Sequence, residues 1–248
     1  LILKVIASTN TITSIAAGEM DGFYQQPTTD DALAAKDMGL TVTESSEPTF
    51  VGVFLINNQN VSDKRIRQAM SYAIDKDLLI EQNLQGKGIA PATCVIPGSE
   101  YDCGLTWSRD VDKAKELLAE AGYADGFDTS ICVNDNQERT EACQAIQAML
   151  AEVGINCEVE VMEFGSFIDK TAAGDFDTAF MGWSTSTIDA DYTYYSLEHS
   201  SQQGPAGNRS FIADPDVDKL VEEGRSNTDP AAREKIYADL AMKLKEIN

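Results

Sequence analysis

The side chains in this 248-residue sequence that could do more than pack are one histidine, five cysteines and scattered serines and acids. A Ser-His-Asp set would have to use His199, which lies in the polar stretch Leu197-Glu-His-Ser-Ser-Gln202, and no G-x-S-x-G elbow occurs in the chain. A single imidazole also argues against carriage of a metal such as nickel. The cysteines, at 94, 103, 132, 143 and 157, form no C-x-x-C pair, so zinc-ribbon and thioredoxin chemistry lack their spacing. Cys94 and Cys103 bound a Pro/Gly loop and are predicted to form a disulfide, which suits an oxidising compartment. Cys132, near a strand end, and Cys143, early in the helix folding back over it, are the second predicted pair. Cys157, at the far end of that helix, is left free. These residues indicate neither an enzyme nor a cofactor site.

The elements that must position any site are visible in the periodicity. A short helix over 7–17, behind a Ser8/Thr9 cap, is predicted to stop at Gly18, followed by a strand over 20–24 and a helix over 29–36. The apolar run 49–57 predicts a strand buried on both faces. Asp63, Asp75 and Asp110 stand where caps belong before three helical stripes, and Gly86 to Leu105 predicts a long irregular loop. From Phe127 the pattern turns regular. Alternation over 127–133, a stripe from Ala142 to Val153, alternation over 157–161, a stripe over 167–172 and an apolar run over 176–183 predict β-α-β-α-β. That order implies an α/β fold with parallel neighbours and right-handed crossovers, and a ligand at the carboxyl ends of the strands. Asp214-Pro215 and Asp229-Pro230 open two last helices.

Composition excludes some partners. The chain carries 19 basic and 41 acidic residues, a formal net charge of −22. Such a field repels nucleic acid and anionic lipid, and weakly favours cationic or zwitterionic ligands. Hydrophobic residues make up 43%, enough for a sizeable core, and no apolar run is long enough to span a membrane. The chain opens on Leu1 and closes inside a helical pattern, so both ends are expected to be cuts in a longer protein.

Several segments, in order, resemble the family 5 extracellular solute-binding proteins, the oligopeptide, dipeptide and nickel-carrier group. They are Ala17-Gly-Glu-Met-Asp21; Asn57-Asn58 with Asp63-Lys-Arg-Ile-Arg-Gln-Ala-Met-Ser-Tyr-Ala-Ile-Asp75; Ala114-Lys-Glu-Leu-Leu-Ala-Glu-Ala-Gly-Tyr123; Gly174-Asp-Phe-Asp-Thr-Ala-Phe-Met-Gly-Trp183; and Asp214-Pro-Asp-Val-Asp218. The resemblance implies a type II periplasmic-binding-protein fold in which residues 1–50 end a first lobe. Residues 51–248 would form most of a second lobe, with a mixed sheet around the β-α-β-α-β unit. It further implies an ABC importer's solute-binding component, a monomer outside the cytoplasmic membrane (periplasmic or lipid-anchored). That component would hold an extended peptide or polar solute between its lobes and deliver it to a membrane permease. A sensing or interaction module with an altered ligand site is the alternative.

Carried onto this sequence, the resemblance makes Gly182, Trp183 and Ser184 the strand edge that pairs with a ligand backbone, with Trp183 either a stacking wall or core. Phe164 is either a pocket aromatic or a staple at the start of a helix. Ser186 stands where peptide-binding relatives commonly carry an aspartate for the ligand ammonium group. Asp189 and Asp191 could replace that acid, or cap a helix. Arg139 could meet a ligand carboxylate, or lie on the surface.

Overall fold

The structure, a computed structural model, describes residues 11–23, 28–44, 50–95, 101–185, 187 and 189–247. The chain divides into two compact units, Leu1–Glu47 and Pro48–Asn248. In the first, α1 spans Thr11–Ala16 and α2 spans Thr29–Asp37. Thr28 caps α2, its Oγ1 accepting from the Asp31 N–H at 3.1 Å. The predicted cap at Ser8/Thr9 lies outside the described residues. No strand forms at Met20–Phe23, where the turn-forming pair Asp21-Gly22 interrupts the run; Tyr24 is not described.

The second unit is built on a four-stranded sheet ordered β1-β4-β2-β3, from β1 (Phe50–Ile56), β2 (Phe127–Asn134), β3 (Ile155–Met162) and β4 (Thr178–Ser184). β2 runs parallel to both β3 and β4, and β1 runs antiparallel to β4. The sheet is therefore mixed, as expected. β1 is not buried throughout, because Gly52 is exposed and Val53 and Phe54 are only half-buried. As an edge strand it packs against fewer neighbours than a central one.

Helices cover both faces. α3 (Lys64–Ala73), α4 (Lys76–Leu84), α5 (Val111–Glu120) and α6 (Gln137–Glu152) open on the side-chain caps Asp63, Asp75, Asp110 and Asn136. Each such cap satisfies a helix-end N–H and stabilises by about 1 kcal/mol. Ile66, Met70, Leu118, Ile146 and Leu150 from these helices meet Ile131 and Val133 of β2 in one core. α7 (Phe164–Ala173) lies on the opposite face, where Phe167 packs with Cys132, Ala179 and Leu55. α6 and α7 leave adjacent parallel strands toward opposite faces, which opens a crevice at the carboxyl edge of the sheet. A third core joins α8 (Ala190–Glu198), α9 (Pro215–Ser226) and α10 (Pro230–Ile247) through Tyr194, Val221, Tyr237 and Leu240. α8 falls in a stretch expected to be a loop.

The two predicted disulfides are absent, and all five cysteines are free thiols. Cys94 turns inward and donates to Glu198 Oε1 at 3.3 Å, whereas Cys103 stays at the surface. Cys132 and Cys143 are divided by the sheet itself. Neighbouring strand residues point to opposite faces, so Cys132 joins the α7 side and Cys143 the α6 side. Cys157, expected to lie remote from Cys143, packs in the same core as that residue.

Candidate functional site at the end of strand β4

β4 extends beyond β2. β1 pairs with all seven residues of β4, from Phe50↔Ser184 to Ile56↔Thr178, whereas β2 pairs only Ile131 with Thr178 and Cys132 with Ala179. In this parallel register Asn134, the last residue of β2, falls level with Met181. Gly182, Trp183 and Ser184 therefore have no strand on the β2 side among the described residues. An extended segment about 4.8 Å away could occupy that lane and complete the ladder.

Arg139 borders the lane. It sits in the first turn of α6, where its backbone N–H donates to the Asn136 cap at 3.0 Å. Its Nη1 donates to Asn134 Oδ1 at 2.8 Å, and the guanidinium lies 5.7 Å from the centre of the Phe50 ring. The side chain also presses on Gly182. A Cβ there would lie 2.1 Å from the Phe50 ring and 2.7 Å from Arg139 Nη2, so any larger residue would have to push these two side chains aside. Among the described residues no carboxylate lies within ion-pair distance of Arg139. Burial holds its pKa below the ordinary guanidinium value, with the Glu138 charge opposing. A half-buried cation beside a strand edge that β2 does not pair is suited to receive an anion.

Trp183 points to the other face, toward α8. Its indole Nε1 donates to Thr193 Oγ1 at 3.2 Å, and its ring stacks on Tyr192 with centroids 5.5 Å apart and planes 26° apart. With Met181, Val53 and Leu55 it also walls a small cavity of about 30 Å³. Trp183 is half-buried against the third core and stands at the free strand end. Phe164, the first residue of α7, follows β3 at the same edge of the sheet and is 53% exposed, so it is not a buried staple.

The two aspartates turn away from the lane. Asp189 caps α8 and holds Arg233 of α10 through two hydrogen bonds. Asp191 lies 3.9 Å from Arg225 of α9, and its Oδ1 is buried with no hydrogen-bond partner. Burial raises the Asp191 pKa, with Arg225 opposing. Ser186 lies outside the described residues. His199 is buried, its Nδ1 accepting from the Ser201 N–H at 3.1 Å and its Nε2 lying 3.4 Å from Glu222. Phe50, Asn134, Tyr192 and Thr193 were not anticipated. An Asp-x-Asp start at 189–191 is a readable helix signal for the last two, whereas the pairing that brings Phe50 to Gly182 is not local.

A mixed sheet layered by helices, with a strand end left open at its carboxyl edge, defines a type II periplasmic-binding-protein fold. The model of the family described as bacterial extracellular solute-binding proteins, family 5 Middle, matches residues 1–205, and the chain belongs to that family. It is 28% identical to the oligopeptide-binding protein AppA of Bacillus subtilis (strain 168), over 98% of this chain and 48% of that protein. It is 33% identical to the glutathione-binding protein GsiB of Pectobacterium atrosepticum, over 75% of this chain and 39% of that protein. The solved periplasmic binding protein DppA of Helicobacter pylori, in complex with the peptide STSA, superposes with a TM-score of 0.86 at 25% identity. That match covers 96% of this chain and 48% of DppA. The chain thus spans about half the length of the relatives it matches or less. No helix among the described residues is long and apolar enough to cross a membrane.

Proposed function

We propose that this chain forms part of the solute-binding component of an ABC importer and holds an extended peptide or peptide-like solute without transforming it. The observation that carries this reading is the free edge of Gly182–Ser184 beside an Arg139 that makes no close ion pair among the described residues, although the Glu138 charge acts on it. In this reading the ligand backbone continues the lane of β2 and bonds to the β4 backbone, so affinity depends little on side chains. Its carboxylate meets Arg139 and the amino terminus of α6, whose dipole also favours an anion. The ligand then runs antiparallel to β4. The peptide-binding relatives support this reading. The component acts outside the cytoplasmic membrane, as a periplasmic or lipid-anchored monomer, and passes its solute to a membrane permease. Neither a cofactor nor nucleic acid takes part.

Titration calorimetry on the full-length gene product tests the reading, with trialanine as the free acid and as the C-terminal amide. The free acid is expected to bind at least about tenfold tighter, and Arg139→Met to abolish that difference, since a charge-assisted pair contributes about 1.5–3 kcal/mol. Equal affinity for acid and amide in the parent protein would refute the assigned polarity. Binding of neither would refute the peptide reading.

A further inference from the structure

We propose that the first turn of α8 belongs to the binding site, with Thr193 positioning the Trp183 indole and Tyr192 extending its aromatic wall. The inference rests on the reading of β4 as the ligand strand, and it adds a preference for ligands with a flat apolar side chain. The Trp183 side chain carries one polar atom, Nε1, and among the described residues it donates to the 97% buried Thr193 alone. A half-buried indole whose N–H is paired is held in one orientation, because rotating it would leave both partners unsatisfied. Tyr192 covers part of the indole by stacking and keeps 42% of its own surface exposed. The turn that carries both residues is itself anchored: Asp189 caps it and is held by Arg233, whose side chain reaches the hydroxyls of Tyr101 and Tyr237. The wall is thus rigid on the α8 side and free toward solvent. Such a surface suits a planar side chain of the ligand, and stacking of this kind contributes about 2- to 12-fold in affinity.

The test uses the full-length gene product and two readouts. The first is the indole N–H resonance of Trp183, assigned by its loss in Trp183→Phe. Thr193→Val is expected to move it upfield and speed its exchange with solvent, and Thr193→Ser to restore both. An unchanged resonance in Thr193→Val overturns the positioning role, whether or not any peptide binds. The second readout is affinity for Ala-Phe-Ala against trialanine. The parent is expected to favour the aromatic peptide by about threefold or more, and Tyr192→Ala to erase most of that preference. A preference that survives intact in Tyr192→Ala overturns the extended wall. If trialanine binds to the free strand edge but no aromatic preference exists, this inference fails and the peptide reading stands. If neither peptide binds, the peptide reading fails and the resonance alone decides the role of Thr193.

Discussion

Arg233 holds Asp189 in a two-point grip, Nη2 to Oδ1 at 2.8 Å and Nη1 to Oδ2 at 3.0 Å, and Asp189 at the same time caps α8. One carboxylate thereby starts the helix that backs Trp183 and ties it to α10. Burial works against the charge, but the bonds from Arg233 and the Asp191 N–H outweigh it and lower the Asp189 pKa. With the folded pKa below the unfolded one, the contribution is present above the unfolded value and is lost as the pH falls through the folded one. Asp189→Ala removes a cap and a two-point ion pair, of which the carboxylate is 43% exposed. With that exposure discounted, the expected loss is about 2 kcal/mol in urea unfolding at pH 7. A loss below about 0.5 kcal/mol would show the grip to be ornamental.

Glu198 should make stability fall as the pH rises through neutrality. Burial pushes its pKa up to about 7, with the Cys94 hydrogen bond opposing. In the unfolded chain a glutamate titrates near about 4.3. The folded protein therefore retains a proton that the unfolded chain has already released, and stability declines between about pH 4.3 and 7. Glu198→Gln removes that slope. The variant is expected to exceed the parent by about 2–3 kcal/mol at pH 8 and to match it near pH 4.5. Equal differences at the two pH values would refute the assignment.

Alkylation followed by mass spectrometry should find five thiols after denaturation. In the native protein Cys103 should react first, because it alone is exposed. Burial pushes Cys132 and Cys143 up to about 12 and Cys157 to about 11, and raises Cys94 well above the ordinary thiol range. Their thiolate fraction, and hence their reactivity, is minimal at neutral pH. A total below five, or rapid native labelling of Cys143, would contradict the structure.

Asn57 should be costly to replace. It is fully buried; its Nδ2 donates to the Gly174 carbonyl at 3.0 Å, and its Oδ1 accepts from the Gln59 N–H at 2.9 Å. These bonds pin the end of β1 to the turn before β4 and so fix the pairing that brings Phe50 to the site. Asn57→Leu removes the side-chain acceptor of the Gln59 N–H and one of two donors to the Gly174 carbonyl, groups that are only partly buried, and about 1–2 kcal/mol of stability should be lost. Asn60 also reaches Gly174 O, at 3.2 Å, which limits the damage. Faster amide exchange throughout β1 would accompany the loss; protection at the parental level would argue against this role.

What the sequence made legible was local. Asp63, Asp75, Asp110 and Asp214 each stand immediately before a helical stripe, and all four cap their helices. The alternation from Phe127 onward yields the β-α-β-α-β unit, and the stripe that follows β2 places Arg139 in the first turn of its helix. α8 is hard to read because its buried stripe of Ala190, Thr193, Tyr194 and Leu197 is part polar and aromatic, although Asp189 is legible as a cap as well as a possible ligand acid. The Cys132–Cys143 pairing failed on strand parity: Ile131 and Val133 face α6, so the residue between them cannot. Phe50 was beyond reach because nothing near residue 50 encodes its register with Ser184.

That register has a consequence for how the protein comes to be folded. β1 meets β4 across roughly 120–130 residues of intervening chain, whereas β2 and β3 are joined by a single crossover helix. Closing the longer loop demands more conformational entropy before any contact repays it. During synthesis, β1 leaves the ribosome with its partner still unmade, and it must wait while the parallel unit condenses without it. Pulse-labelled exchange should accordingly find the β1–β4 amides protected after those of β2 and β3. The strand proposed to receive a ligand is then framed last, and until then its β1-facing edge can be captured by any passing chain.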